Sequence, residues 1–223
     1  MTIEASLFDM DGLLVDSEIL WHEAEVEIFA HLGVDLGGAK ERSTKGLYVD
    51  DVVQFWYLRQ SWSGPTCAEV SEMLLERVGE LVERKGRLLP GATRALDLTA
   101  ARGPVALASS TPLGLIERIL AHFDLLGRFV SLHSAQFEPY GKPHPGVFLT
   151  AATALGVAPV DCLVFEDSPA GVLAAKAARM MVVAVPTTSD RPSAEFTLAD
   201  LVLDSLEHLD ESWLDERFAH ASS

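Results

Sequence analysis

The sequence predicts an α/β fold in which a parallel sheet flanked by helices carries an inserted helical segment. From about residue 88 onward, short apolar runs alternate with helical patterns, which is typical of βαβ units and of a parallel sheet. Residues 15–87 differ, because they show three helical patterns and no convincing strand. A length of 223 residues suits one large domain, or one domain with an insert, and allows a sizeable buried core.

The individual elements follow from the spacing of apolar residues. The expected strands cover residues 3–8, 105–108, 129–132, 162–165, 180–185 and 201–203. Helices are expected between these strands over 91–101, 113–122, 146–155 and 169–178. Pro112, Pro145 and Pro169 lie near the starts of three of them, where the missing N–H of proline removes no helical hydrogen bond. In the early part of the chain, helices are expected over 17–31, 49–59 and 67–85.

The position of these three early helices predicts a chain divided into two domains. A strand that ends at Phe8 is followed by about 70 helical residues before the sheet resumes. We therefore expect residues 1–14 and 88–223 to form the sheet domain, and residues 15–87 to form an inserted helical domain. Gly12 and the pair Pro90-Gly91 are the expected hinges, because glycine and proline commonly punctuate such boundaries.

The charge composition limits the classes of partner. Lys and Arg total 17 against 33 Asp and Glu, a formal net charge of −16. This excess argues against a nucleic acid, whose phosphates require basic surfaces, and against an anionic membrane surface. An anionic small molecule would therefore have to be bound by a local device, such as a metal ion or a well-placed lysine. The acidic surface also favours a monomer.

The cysteines and the apolar runs indicate the compartment. Cys67 and Cys162 lie far apart in the sequence and predict neither a disulfide framework nor a zinc site. The first residues lack the basic region of a signal peptide, and no apolar run approaches 18 residues. We expect a soluble protein of a reducing cytoplasm.

The first motif with chemical content is Asp9-Met10-Asp11-Gly12, at the end of the first strand. Two carboxylates two residues apart point the same way, toward the carboxyl edge of the sheet, where open α/β sheets bind ligands. Burying two like charges side by side is unfavourable unless a cation neutralises them. The competing interpretation is an Asp-Gly turn or a helix cap.

Two further motifs follow the next expected strands. Ser109 and Ser110 precede a helix, where hydroxyl and N–H groups can bind an anion, although serine is also an ordinary N-cap residue. Lys142, one of only five lysines, stands between a glycine and a proline and could neutralise a phosphate together with a carboxylate. A solvated loop lysine is the alternative.

A second pair of acids, Glu166 and Asp167, ends another apolar strand. Carboxylate oxygens are the hard ligands that Mg²⁺ prefers, although a cap of the helix that begins at Pro169 is also possible. All four motifs fall at the carboxyl ends of strands in one parallel sheet. We therefore expect them to meet in a single crevice.

In order and spacing, these residues resemble the four motifs of the haloacid dehalogenase-like (HAD) phosphotransferase superfamily. The segment DMDGLLVDSE over residues 9–18 is similar to the β-phosphoglucomutase-like branch, in which a Rossmann-like HAD core with a parallel sheet carries a small α-helical cap. The segments over residues 46–65 and 85–90 resemble bacterial hexitol phosphatases, also described as 2-deoxyglucose-6-phosphate phosphatases. The resemblance covers essentially the whole chain.

The resemblance implies a Mg²⁺-dependent phosphatase that hydrolyses sugar or polyol phosphate monoesters through a phosphoaspartyl intermediate. Asp9 would be the nucleophile, and Asp11 would be the general acid toward the leaving alkoxide and then the base for water. Asp9, Asp167 and the main-chain carbonyl of Asp11 would hold Mg²⁺. Glu166 would support these ligands without touching the ion, or would reach it through water.

The resemblance also implies the groups that bind the substrate. Ser109, Ser110 and Lys142 would bind the phosphoryl group. Lys45 resembles part of a substrate loop in the mutases, and Tyr48 lies where its side chain could reach the crevice, although both could equally be surface residues at a helix start.

Other reactions of the superfamily, and one function outside it, remain as alternatives. A β-phosphoglucomutase-type mutase carries a histidine at the cap hinge, and a gapless count places Trp21 there with His22 one residue later. This favours a hydrolase. A dehalogenase would not need Asp11, and a phosphonatase would need a cap lysine, for which Lys45 is a weak candidate. A receiver-type signalling module also uses acids, a hydroxyl and a lysine around Mg²⁺, but it needs only about half this length.

Overall fold

The computed structural model describes residues 2–36, 47–187 and 193–218. Its strands are β1 (Ala5–Phe8), β2 (Val105–Ser109), β3 (Ser131–Ser134), β4 (Cys162–Glu166), β5 (Met181–Ala184) and β6 (Leu201–Val202). Its α-helices are α1 (Glu18–His31), α2 (Val49–Arg59), α3 (Cys67–Lys85), α4 (Ala92–Ala100), α5 (Leu113–His122), α6 (Gly146–Leu155), α7 (Pro169–Ala177) and α8 (Glu211–Asp215).

The six strands form one parallel sheet in the order β3-β2-β1-β4-β5-β6. The chain builds outward from β1 on one side, then crosses to β4 on the other, so β1 lies at the switch point where ligands bind in open α/β sheets. The predicted α/β class with a parallel sheet is confirmed.

Apolar clusters on both faces of the sheet stabilise the central strands. Every residue of β1, β2 and β4 is buried, as expected for a parallel sheet covered on both sides. Phe8 and Phe165 occupy paired positions on β1 and β4, and their rings stack with centroids 4.3 Å apart. This pair fixes the register of β1 and β4 directly before Asp9 and Glu166.

The third strand is shifted two residues from its predicted position. The apolar run predicts a strand over 129–132, whereas β3 is Ser131–Ser134 and follows a single helical turn at Leu126–Arg128. An edge strand is solvent-accessible along one side, so β3 tolerates the polar residues Ser131 and His133, and hydrophobicity alone misplaces it. The other predicted elements agree with the structure to within a few residues, and α8 was not predicted.

Between β1 and β2 the chain forms α1, α2 and α3, which pack on one another around Phe29, Trp56 and Trp62. The two stretches of chain that lead into and out of these helices lie side by side. Asp16 N donates to Arg87 O at 3.0 Å, and Leu89 N donates to Leu14 O at 2.9 Å. In the part of the chain that the structure describes, no helix is long and apolar enough to cross a membrane.

Candidate active site

The carboxyl ends of β1, β2 and β4 bring together residues that are far apart in the sequence. Asp9 follows β1, Ser109 ends β2, and Glu166 ends β4 with Asp167 directly after it. All four side chains are buried. Lys142 reaches the same place from the loop between β3 and α6, and it is buried as well.

Lys142 is the cation at the centre of this group. Its Nζ donates to Asp9 Oδ1 at 2.8 Å, to Glu166 Oε1 at 2.6 Å and to the carbonyl of Ala108 at 3.1 Å. An ammonium has three N–H donors, and here each has a partner. The ring of Phe148 lies 4.8 Å from Nζ. Burial disfavours the charged form, but Asp9 and Glu166 outweigh it and hold the pKa of Lys142 above its ordinary value.

Asp9 experiences opposing electrostatic effects. Burial, and to a smaller extent the charges of Glu166 and Asp11, raise its pKa to about 7 even though Lys142 lowers it. One ammonium is therefore not enough to keep Asp9 fully charged at neutral pH. The site therefore has room, in electrostatic terms, for a further positive charge.

The second acid, Glu166, is held by main-chain and side-chain donors. Its Oε2 accepts from Asp167 N at 2.9 Å, from Ser168 N at 3.0 Å and from Ser168 Oγ at 3.0 Å, while Oε1 accepts from Lys142. A Cβ on Gly171 would overlap the carboxylate of Glu166, so only glycine fits at that position in α7. Glu166 is thereby fixed behind Lys142 and beside Asp9.

Three of the predicted metal ligands meet in one cluster. One carboxylate oxygen from each of Asp9, Glu166 and Asp167 lies within 4.8 Å of the others. The negative charge of these acids exceeds the single positive charge of Lys142, and all the donors are hard oxygens, which fits Mg²⁺. Gly12 contributes space, since a Cβ there would overlap Asp167 Oδ2.

The Asp11 side chain lies apart from this cluster. Its Oδ1 accepts from Ser17 Oγ at 2.6 Å and from Trp21 Nε1 at 3.0 Å, and its Oδ2 accepts from Thr111 Oγ1 at 2.6 Å. Ser17 and Trp21 belong to the start of α1, whereas Thr111 follows β2. The carboxylate of Asp11 thus links the first of the three early helices to the edge of the sheet.

Hydroxyl groups hold the main chain of the loop after β2. Thr111 N donates to Ser109 Oγ at 3.2 Å, and Ser134 Oγ donates to the carbonyl of Thr111 at 2.7 Å. Ser109, Ser110 and Thr111 are all buried. This places two predicted phosphate-binding residues, Ser109 and Ser110, directly beside Ala108, whose carbonyl binds Lys142.

The structure describes one of the two residues, Tyr48 and Lys45, that were predicted to contact the substrate. Tyr48 is the N-cap residue of α2 and is half-buried. It packs against the loop that carries Lys142, since a Cβ on Gly141 would lie 3.5 Å from the Tyr48 ring. Burial, with the nearby charges of Asp50 and Asp51, raises the pKa of Tyr48 to about 12, so its hydroxyl stays neutral. Lys45 lies outside the described residues.

Four residues that bind the carboxylates of Asp11 or Glu166 were not among the predicted site residues: Ser17, Trp21, Thr111 and Ser168. Ser17 and Ser168 each stand within six residues of an acid they bind, as expected for local serine contacts, so sequence proximity was a usable signal for both. Thr111 is 100 residues from Asp11, and only the β1–β2 pairing brings them together.

Several known proteins are similar to this chain along most of its length. Residues 3–179 match the model of the haloacid dehalogenase-like hydrolase family. Hexitol phosphatase B of Escherichia coli (strain K12) is 47% identical over 209 residues, which are 93% of this chain and 94% of that protein. A probable pseudouridine-5'-phosphatase of Drosophila melanogaster is 36% identical over 81% of this chain and 80% of its own length.

Among solved structures, CbbY from Rhodobacter sphaeroides, in complex with phosphate, has a TM-score of 0.81 and 29% identity, covering 93% of this chain and 96% of its own. A β-phosphoglucomutase from Clostridium difficile has a TM-score of 0.82 and 25% identity, with 97% of each chain covered.

Proposed function

Because the chain belongs to the haloacid dehalogenase-like hydrolase family and is a phosphatase, we propose that it hydrolyses phosphate monoesters of sugars and polyols, of the hexitol phosphate and 2-deoxyglucose 6-phosphate type. We propose that the reaction requires Mg²⁺ and passes through a phosphoaspartyl intermediate on Asp9. The observation that carries the proposal is the buried contact of Lys142 with both Asp9 and Glu166, at 2.8 and 2.6 Å.

The residues present fit a magnesium ion. Asp9, Asp167 and the main-chain carbonyl of Asp11 would hold it, with Glu166 supporting them from behind. When bound, the ion would neutralise phosphate charge and so permit attack by an anionic carboxylate. The raised pKa of Asp9 in the protein alone supports this assignment, because a further cation restores the charged form.

Asp9 carries out the first chemical step. Lys142 contacts Oδ1, so the attack on phosphorus falls to the other oxygen, Oδ2. The bond from phosphorus to the alcohol oxygen breaks as the bond to Asp9 forms. Asp11 donates a proton to the departing oxygen, which leaves as a neutral alcohol.

The second step reverses the role of Asp11. Its carboxylate takes a proton from a water molecule, which attacks phosphorus and releases inorganic phosphate with Asp9 restored. During both steps, the hydroxyl groups of Ser109 and Ser110 and the ammonium of Lys142 bind the phosphoryl oxygens. Preorganised donors of this kind stabilise the spread of negative charge in the transition state.

The early helices would act as a cap over this crevice. We propose that residues 15–87 form the cap domain and that residues 1–14 and 88–223 form the catalytic core. The paired linkers at Asp16 and Arg87 support this division, because the whole helical segment leaves and rejoins the sheet at one place. Closure would exclude water from the first step, and Tyr48 and Lys45 would contact the alcohol portion of the substrate.

The substrate class rests on the relative and on the charge of the chain. Hexitol phosphatase B is similar along nearly its whole length, including the segment of α1–α3. A formal net charge of −16 disfavours nucleic acids and anionic membranes, so the partner we propose is a small phosphate ester. We also propose that the protein acts as a monomer in the cytoplasm.

A phosphate-release screen tests this proposal. The purified protein, with Mg²⁺, is assayed against hexitol phosphates, hexose 6-phosphates, 2-deoxyglucose 6-phosphate and glucose 1-phosphate. We expect hexitol phosphates and 2-deoxyglucose 6-phosphate to have the highest kcat/KM, and Asp9→Asn to release no phosphate. Interconversion of glucose 1-phosphate and glucose 6-phosphate without phosphate release would show a mutase and reject the proposal.

A further inference from the structure

Arg118, on α5, is bound to α3 by two glutamates. Its Nε and Nη2 donate to the two carboxylate oxygens of Glu83 at 2.7 and 2.9 Å, and its Nη1 donates to Glu76 Oε1 at 3.1 Å. The paired contacts with Glu83 have the bidentate geometry that makes arginine–carboxylate pairs strong and directional. The Arg118 side chain is 30% exposed, so the guanidinium is partly shielded from solvent between the two helices.

Helix α3 carries a glycine directly beneath this guanidinium group. Glu76, Gly79 and Glu83 are spaced by three and four residues and so share one face of α3. A Cβ at position 79 would lie 2.5 Å from Arg118 Nη1 and 2.7 Å from its Cζ. Glycine lowers the stability of a helix interior. Here it creates the recess that the guanidinium occupies.

One of the two helices that Arg118 joins begins close to Asp11, and the other ends at the linker of the early helical segment. Helix α5 begins at Leu113, two residues after Thr111, whose hydroxyl donates to Asp11. Helix α3 ends at Lys85, next to the linker in which Arg87 pairs with Asp16. A shift of α3 along α5 would therefore move α1–α3 relative to the loop that holds Ser109 and Ser110.

We propose that Arg118 is a positioning residue of this enzyme: its contacts with Glu83 and Glu76 fix α1–α3 over the crevice and so determine how tightly the alcohol portion of the substrate is held. Arg118 does not touch the reacting atoms. The inference rests on the proposed function in one respect, that α1–α3 cover the site. It adds the residue that sets their position.

Another arginine provides a matched control. Arg77 also binds two glutamates, Glu27 and Glu80, at 2.8 Å each, but both partners lie on α1 or α3. Its contacts join α1 to α3 and do not reach α5. Replacing Arg77 removes the same charge and a similar number of hydrogen bonds, but it leaves the contact between α3 and α5 in place.

The first experiment compares Arg118→Gln with Arg77→Gln on two substrates: the best ester of a sugar and polyol phosphate panel, and p-nitrophenyl phosphate. For Arg118→Gln we expect a rise of about two- to fivefold in KM for the ester, in line with a partly exposed ion pair, and little change for p-nitrophenyl phosphate. Arg77→Gln should change neither. Equal effects of the two substitutions on the ester would overturn the proposal.

The second experiment separates positioning from stability. Gly79→Ala should displace the guanidinium while leaving every charge in place, and alanine favours the helix. We expect the KM for the ester to rise as in Arg118→Gln, with no loss of thermal stability. The double variant, Gly79→Ala with Arg118→Gln, should show no further rise in KM. The exchange Arg118→Glu with Glu83→Arg should recover most of the loss seen in Arg118→Glu. An unchanged KM in Gly79→Ala would reject the role of Arg118.

The two levels of inference fail separately. If the unaltered enzyme hydrolyses no polyol phosphate, the proposed substrate is wrong, and the Arg118 comparison is still made with the best ester of the panel. If polyol phosphates are hydrolysed but Arg118→Gln behaves like Arg77→Gln, the proposed function stands and the positioning role is wrong.

Discussion

The indole nitrogen of Trp21 lies 3.0 Å from Oδ1 of Asp11, so a residue of α1 holds the carboxylate that we propose as the proton carrier. Ser17 binds the same oxygen at 2.6 Å. The hydrogen bonds of Asp11 therefore depend on where α1 stands relative to the sheet. If the early helices move as we propose, these two contacts would couple their movement to the availability of the Asp11 carboxylate.

Asp11→Asn should separate substrates by their leaving group. Loss of general acid–base catalysis typically lowers rates by ~10²–10⁴-fold. We expect a larger loss on a hexitol phosphate than on p-nitrophenyl phosphate, because p-nitrophenolate leaves without a proton. Steady-state kcat values for both substrates measure the difference. Equal losses on both would contradict the role of Asp11 as proton carrier.

Trp21→Phe tests the link between α1 and the acid, because it keeps an aromatic ring and removes the N–H donor. One hydrogen bond contributes about 0.5–1.5 kcal/mol, so kcat on a hexitol phosphate should fall by about two- to tenfold. Trp62→Phe is the control, since its indole N–H binds the carbonyl of Pro65, within the early helical segment. If both variants lose kcat equally, the effect of Trp21→Phe is one of stability.

Removal of divalent metal should abolish phosphate release. EDTA-treated enzyme should regain activity with Mg²⁺ but not with Ca²⁺, whose looser coordination would misplace the carboxylate of Asp9. Asp167→Asn should require much more Mg²⁺ for half-maximal rate. The rise of the unfolding midpoint on adding Mg²⁺ gives a readout independent of activity. Full activity in chelator would refute the metal assignment.

Gly171→Ala should disturb the site without altering any charged group. Its Cβ would overlap Glu166 Oε1, which supports Lys142. Overpacking of this kind costs about 1–3 kcal/mol of stability, and a displaced Glu166 should also lower kcat. Gly114→Ala in α5 is the matched control, since its Cβ would meet nothing within 4 Å. Normal kcat in Gly171→Ala would show that Glu166 can move without consequence.

Tyr48→Ala and Lys45→Ala should change the ranking among sugar and polyol phosphates while leaving p-nitrophenyl phosphate nearly unaffected. Tyr48→Phe distinguishes the ring from the hydroxyl, which is neutral because the pKa of Tyr48 is about 12. We expect Tyr48→Phe to keep the ranking, because it retains the ring that packs against the loop carrying Lys142. Ratios of kcat/KM across the panel measure this, and an unchanged ranking in all three variants would reject substrate contact by these residues.

The sequence by itself determined the fold class and the places where chemistry can occur. Buried apolar runs such as the one ending at Phe8 predict parallel strands, and residues that follow such runs must meet at one edge of the sheet. This is why Asp9, Lys142, Glu166 and Asp167, which are spread over more than 150 residues, can be grouped from the order of strands and motifs alone. The shift of β3 shows the limit, because an edge strand leaves no strict apolar pattern.

Only the tertiary structure decided how these groups are arranged. Local sequence specifies that Asp11 follows a strand, but its oxygens are bound by Trp21 and Thr111, whose positions depend on how α1 and β2 pack against β1. In the same way, the sequence alone indicates that Gly79 weakens a helix. The structure shows that Arg118, 39 residues later, fills the space above Gly79. Side-chain contacts between distant segments depend on packing that no local pattern encodes, and in this protein those contacts hold the Asp11 carboxylate and join α3 to α5.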